Sequence, residues 1–257
     1  MTTRTHVSLR HEYEQYVEQE IENYKFSLPR AMILRIGDEA VAFLRQQEQP
    51  EFNELVIWAE VDDIIRRRLR LPSYATWRRK RLRLIEKYRR PEHWGLTPEA
   101  PIVREIVPDS ETRVLVAGAV EEGTVLYLAA RGCQVTALQE DEDVVDRVVT
   151  AAGQAGLTSR VNGLAAGLDA WAPDAPLNAV VVAPAAFARL TAEQRTRAIE
   201  LLQGATLDGG VHLVETLMAG ESVLGVDELR SRYRGWDISI VRAGRSHRTF
   251  LARKLVA

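Results

Sequence analysis

The sequence predicts an α/β protein in which a sheet-forming second half is preceded by a small helical domain. Three observations predict it. Between Arg113 and Gln139 an apolar run, Val114–Ala117, leads to Gly118, two acids, an apolar-periodic stretch and a second short apolar run, Val135–Leu138; together these read as strand, helix, strand. Before residue 91 apolar and aromatic residues recur at helical spacing. Pro91, Pro98, Pro101 and Pro108 then stand in a stretch with little periodicity, a composition that marks a linker. The expected division is a helical domain over 1–90, a Pro-rich linker over 91–110 laid on the second domain and docked by Trp94 and Leu96, and a sheet domain over 111–257.

Four helices are expected in the first domain. Residues 9–24 place Tyr13, Tyr16, Val17, Glu20, Ile21 and Tyr24 at helical spacing with acids between them, an amphipathic acidic helix. Ser27 is placed to cap a second, with Pro29 in its first turn and Met32, Ile36, Ala40, Phe43 and Leu44 along one face. A third is expected over about 51–71, with Phe52, Leu55, Trp58, Ala59 and Ile65 in the core. Pro72 and Ser73 break it and cap a fourth, which sets Tyr74, Trp77, Arg81, Leu84, Ile85 and Tyr88 on one face and ends at Pro91.

Composition narrows the class. With 257 residues, 46% hydrophobic and 27% charged, the chain is of ordinary globular type. Its single cysteine, Cys133, excludes an internal disulfide framework and a clustered cysteine metal site. At a strand start it reads as a small apolar residue. No apolar run is long enough to span a membrane and the N-terminus lacks the apolar core of a secretion signal, so a cytoplasmic location away from membranes is expected. His212 and His247 have neither a paired Asp/Ser nor metal-ligand spacing; each reads as a core or turn residue, and no metal is expected.

Charge is unevenly spread. Residues 1–63 carry six basic and thirteen acidic side chains, whereas 64–90 carry twelve Lys/Arg and one acid, Glu86. Arg66, Arg67, Arg68, Arg78, Arg79, Arg81 and Arg83 are the candidate partner-binding residues of this strip. With Tyr74, Trp77 and Tyr88 interleaved, it is suited to tracking phosphates. Alternatively it packs its aromatics inward and pairs its arginines with the acidic first helix or an acidic partner, or it is a solvated face. A protein partner or self-association is expected, with nucleic acid on 64–90 as the alternative.

The strand, helix, strand stretch carries a more specific signal. Leu126-Tyr127-Leu128-Ala129, Arg131-Gly132 and Val135-Thr136-Ala137-Leu138 resemble the first βαβ unit of class I S-adenosylmethionine-dependent methyltransferases, especially the small tellurite-resistance and thiopurine type. That family reads V-L-D-x-G-x-G-x-G, then L-Y-L-A-x-R-G, then V-T-A-L-D. The likeness continues through a helix at about 141–156, a third strand at 161–164 and a fourth at 178–183, where Asn178 replaces the acid of F-D-A-V-V. A helix over 191–202 follows, then Leu207-Asp208-Gly209-Gly210 as the turn before a fifth strand at 211–216, and a closing pair at 235–242 and 248–256. The resemblance covers about 112–257. It implies a Rossmann-like class I methyltransferase sheet, mostly parallel with an antiparallel last strand.

The cofactor positions depart from the family. Laid on its pattern without a gap, the first-strand acid falls on Val116, the second glycine on Val120, the third on Glu122 and the ribose-binding acid on Gln139. Where the family has G-D-L, with an acid that contacts the adenine amine, Ala166-Gly167-Leu168 stands. Only Gly118 survives. A Cβ at Val120 or a side chain at Glu122 fills space that glycine leaves for a ligand. Glu121 and Glu122 are either ordinary first-turn acids or competitors of a ligand carboxylate, and both readings oppose a bound anion. Since a hydrogen bond to a charged group is worth about 1.5–3 kcal/mol, two lost acids weaken binding by about 3–6 kcal/mol, or roughly a hundred- to ten-thousand-fold.

Catalytic signals are missing too. Ala183-Pro-Ala-Ala-Phe187 replaces any polar catalytic tetrapeptide, N-P-P-Y is absent, and Cys133 is far from where a cytosine-methylating nucleophile sits. No catalytic residue is named and no cofactor is expected; if S-adenosylmethionine binds, the resemblance assigns it to Gly118, Ala119, Gln139, Glu140 and Gly167. The leading expectation is a methyltransferase-like protein that has lost catalysis and serves as a structural or regulatory subunit through its basic helical domain. An active methyltransferase using Glu140, Asp141 or Glu142 for the ribose, and a nucleic-acid-binding module on 64–90, are the alternatives.

Overall fold

The computed structural model describes residues 8–46, 53–119, 121–217, 224–243 and 247–256. By its contacts the chain forms two compact units, Met1–Leu84 and Ile85–Ala257. The division falls inside the fourth helix, whereas the sequence places it at residue 90.

The first unit is built from α1 (Leu9–Ser27), α2 (Arg30–Gln46), α3 (Glu54–Leu69) and the body of α4 (Tyr74–Tyr88). Ile21, Ile36, Ala40, Val61, Ile64 and Ile65 make its core. Tyr13 links the helices: its hydroxyl donates to the Pro72 carbonyl at 2.9 Å and accepts from Arg66 at 2.9 Å. Its ring meets Tyr74 and Trp77, and Tyr16 stacks on Trp77.

Two expectations fail here. Ser27 is the last residue of α1, and its hydroxyl donates to the Tyr24 carbonyl instead of capping α2. Leu55, Trp58 and Ala59 are exposed, Leu55 at 77% and Trp58 at 45%, because α3 turns its Val61, Ile64, Ile65 face inward. Phe52 lies outside the described residues.

The second unit is a seven-stranded sheet in the order β3-β2-β1-β4-β5-β7-β6, with β1 Arg113–Ala117, β2 Gln134–Gln139, β3 Val161–Ala165, β4 Leu177–Val182, β5 Thr206–Leu217, β6 Trp236–Ala243 and β7 His247–Lys254. The first five pair in parallel, and β7 runs antiparallel to both β5 and β6. Two-residue alternation sends side chains to opposite faces. Leu115, Ala117, Val180, Val182 and Val214 join one apolar layer with Ile199 and Leu202 of α8 (Ala192–Ala205). Val114, Val116, Val135, Ala179 and Val181 join the other, with Val125 and Leu128 of α6 (Gly123–Arg131) and Val148 of α7 (Glu142–Ala155). Both faces are thus covered, as a parallel sheet requires.

The Pro-rich segment is part of this unit. A 3-10 turn, Pro91–Trp94, and a short helix, Pro101–Glu105, lead to Ile102 and Ile106, which are buried on the α6 side. The Trp94 indole donates to the Tyr88 carbonyl at 2.7 Å. Leu207-Asp208-Gly209-Gly210 does not precede the fifth strand: it lies within β5, where the pairing with β4 shifts register between Leu177 and Ala179. Another short helix, Val226–Arg232, was not marked by the sequence pattern. Asn178, standing where the family carries an acid, accepts the Arg113 N–H at 2.8 Å and ties the start of β1 to β4.

Candidate functional site

Ligands of open parallel sheets bind beyond the carboxyl ends of the strands, where the strand order reverses. Here that point lies between β1 and β4. A cavity of about 490 Å³ stands there, bordered by Gly118, Gln139, Glu140, Gly167, Ala186 and Arg189. Four of the five residues assigned from the resemblance thus come together. Ala119 does not line the cavity; it packs against the apolar layer under α6.

Gly118 has φ 73° and ends β1, its N–H bonded to the Leu138 carbonyl at 2.9 Å. Directly above it is the 3-10 turn Pro184–Phe187 that follows β4. A Cβ at residue 118 would lie 2.5 Å from the Ala186 nitrogen and 2.7 Å from the Ala186 Cβ. The glycine is therefore required both by left-handed backbone and by a neighbouring segment of the same chain. Gly118 and Ala186 thus pack closely where they border the cavity.

The other rim groups are engaged with one another. Gln139 turns its Oε1 back to accept the Glu140 N–H at 2.8 Å. Glu140 pairs with Arg189 at 3.0 Å. Asp141 accepts the Asp143 N–H at 3.0 Å as the cap of α7. A Cβ on Gly167 would meet Asp169 Oδ1 at 2.7 Å, and Asp169 in turn accepts from Gln194 at 2.8 Å. Val116, at the first-strand acid's position, is buried.

Neither side chain expected to fill the cofactor space is seen there. Val120 lies outside the described residues. Glu122 does not fill the cavity: with Glu121 it is exposed and borders a separate groove of about 560 Å³ beside Tyr88, His93 and Trp94. Ala186 and Arg189 were not singled out from sequence. A proline followed by two alanines at the end of β4 does signal a segment free to approach a neighbour closely; nothing in the sequence distinguishes Arg189 from other surface arginines.

Cys133 is fully buried, and desolvation pushes its thiol up to about 11, so it is no nucleophile at neutral pH. His212 is fully buried and lowered to about 3 by that burial. It lies between Tyr233 and Thr206, 2.7 Å from each hydroxyl. The Thr206 hydroxyl donates to the Leu202 carbonyl at 2.7 Å. It must therefore accept from Nε2–H, which leaves Nδ1 to accept from Tyr233. The network is satisfied in one direction with a neutral ring, a core role. The side chain of His247 lies outside the described residues. Among the described residues no three His, Cys, Asp or Glu side chains gather into a metal-binding cluster, and no helix is long and apolar enough to cross a membrane.

The candidate partner-binding arginines separate into two sets. Arg66 bonds to Tyr13, Arg67 to Glu60, Arg68 to Glu39 and Arg81 to Glu12. Arg78, Arg79 and Arg83 are exposed and have no bonded partner among the described residues.

No protein-family model matches the sequence, and no curated protein matches it. Solved structures do. TehB from Haemophilus influenzae aligns with a TM-score of 0.51 at 18% identity, over 66% of this chain and 67% of its own. The N-methyltransferase NodS from Bradyrhizobium japonicum WM9 aligns with a TM-score of 0.50 at 14% identity, over 62% of this chain and 100% of its own. At such identities the likeness is one of fold. The chain has the class I S-adenosylmethionine-dependent methyltransferase fold, as the resemblance of residues 113–139 implied.

Proposed function

We propose that this chain is a methyltransferase-like protein without catalytic activity, acting in the cytoplasm as a structural or regulatory subunit. Its helical N-terminal domain engages a partner protein or a second copy of the chain. One observation supports the loss of catalysis: the turn after β4 packs against Gly118, the one family glycine that is kept, through Ala186. Around it Gln139 is bonded to its own chain, Glu140 to Arg189, and Val116 offers no charge. These residues do not fit S-adenosylmethionine in the family's manner, since the groups that would hold ribose and amino acid are absent or already bonded. Titrating S-adenosylmethionine into the protein by calorimetry is expected to give no heat of binding at micromolar concentration, in line with about 3–6 kcal/mol of lost interaction. A dissociation constant in the micromolar range sinks the reading.

A second reading is favoured by the size of the cavity. At about 490 Å³ it falls in the range of small-molecule sites, and Glu140, one residue past the usual ribose acid, borders it. An active methyltransferase with a rearranged pocket would transfer labelled methyl groups to cell extract, and Glu140→Ala would abolish the transfer. No transfer at millimolar cofactor eliminates that alternative.

A further inference from the structure

We infer that the outer face of α4 between Arg78 and Arg83 is a docking surface for an acidic amphipathic helix of a partner protein. The inference rests on the reading of the chain as a binding subunit and names the chemistry of what it binds. Arg78 and Leu82 stand one helical turn apart, as do Arg79 and Arg83, with Lys80 beside them. All five side chains are exposed, Leu82 at 43%, and none of the four cations has a bonded partner among the described residues.

Two classes of macromolecule carry enough negative charge for such a face, and three observations favour protein. First, the aromatics that made the strip resemble a nucleic-acid binder are committed elsewhere, Tyr74 and Trp77 to Tyr13 and Tyr16 and Tyr88 to His93 and Trp94, so none stands among the free cations to stack on a base. Second, Leu82 places an apolar anchor between the charges. A phosphate backbone gives it nothing to pack on, whereas a helix with one apolar stripe flanked by carboxylates satisfies it and the arginines together. Third, the same domain already makes this pairing internally: Arg68 meets Glu39 of α2 and Arg81 meets Glu12 of α1. The free set extends that chemistry outward.

The test uses the full-length protein and three labelled probes followed by fluorescence anisotropy. One is a synthetic helix with leucines at i, i+3 and i+4 positions and glutamates elsewhere; the second has those leucines replaced by serine; the third is a mixed-sequence DNA duplex. The leucine–glutamate helix is expected to bind most tightly. Arg78→Glu/Arg79→Glu/Arg83→Glu together should weaken it at least about tenfold and Leu82→Ser about threefold, while Arg35→Ala/Arg45→Ala, at exposed positions on α2, leaves it nearly unchanged. Equal binding of the serine probe, tighter binding of DNA with a steep fall in added salt, or an unaffected triple variant overturns the inference. Its outcome is independent of the calorimetric one: cofactor binding with retained peptide binding removes only the proposed loss of catalysis, and the converse removes only this surface.

Discussion

Two groups of polar side chains sit on the same sheet and are held in opposite ways. In the middle of β5, His212 lies between Thr206 and Tyr233 with every polar atom of the ring bonded and no water access. At the rim beyond β1 and β2, Glu140 and Arg189 meet across an open cavity with 32% and 82% of their side chains exposed. The first arrangement is over-determined, since a buried polar atom left unbonded costs the full desolvation of that group. The second costs little to break. The sheet interior meets the demands of its fold, whereas the rim bonds its polar groups to one another and to nearby backbone.

The largest effects should therefore come from the buried network. His212→Leu strands the Tyr233 hydroxyl and deprives Thr206 of its donor, and should cost about 2–4 kcal/mol in urea unfolding. Tyr233→Phe should cost about 1–3 kcal/mol, and the double variant less than the sum because both remove one bond. Acid supplies an independent check. The folded ring titrates near 3, below the usual 6.5 of an unfolded histidine, so the unfolded state binds the proton first. Stability should be full above about pH 6.5 and fall by about 1.4 kcal/mol per pH unit below it until the folded value is reached. The acid limb of His212→Leu should be shallower by that amount; an identical limb would falsify the assignment of a neutral buried ring.

Next in size is the contact between Gly118 and the turn that follows β4. Gly118→Ala adds a Cβ at φ 73° against Ala186, and should cost about 2–4 kcal/mol from left-handed backbone strain and crowding together. Ala186→Gly should recover part of the crowding by removing the Ala186 Cβ and none of the strain. If Gly118→Ala is neutral in thermal unfolding, the turn above β1 yields easily and the contact with Ala186 is not a fixed one.

What the sequence made legible follows the same division. Strands and helices of the second unit were readable because alternating Val and Leu in 114–138 and 179–182 must face two apolar layers. The missing family acids at Val116 and Gln139 were readable because charge is a property of the residue type. The contact of Ala186 with Gly118 was only half readable: Pro184-Ala185-Ala186 marks a segment free to come close, but not which neighbour it meets. On α3 the periodicity itself misled: Ile65 belongs to both the Leu55–Trp58 face and the Val61–Ile64 face, and only the packing of α1 and α2 chooses between them. The basic strip was legible as charge, but its split into bonded and free arginines depends on which side chains the fold brings alongside: Tyr13 and Glu12 of α1, Glu39 of α2 and, for Arg67, Glu60 of its own helix.

The smallest expected effect belongs to the Glu140–Arg189 pair. Exposed ion pairs contribute about 0–1 kcal/mol, so Arg189→Ala should leave the unfolding midpoint almost unchanged in moderate salt. Its value lies in what else it changes: it removes the side chain that borders the mouth of the cavity and frees the Glu140 carboxylate. If the pair alone were what keeps an adenosyl ligand out, Arg189→Ala would gain binding of S-adenosylmethionine measurable by calorimetry. Because Ala186 still stands over Gly118 and Gln139 still bonds to its own backbone, no gain is expected from Arg189→Ala. A gain would move the obstruction from the β4 turn to the rim pair and make the rearranged active pocket the better account.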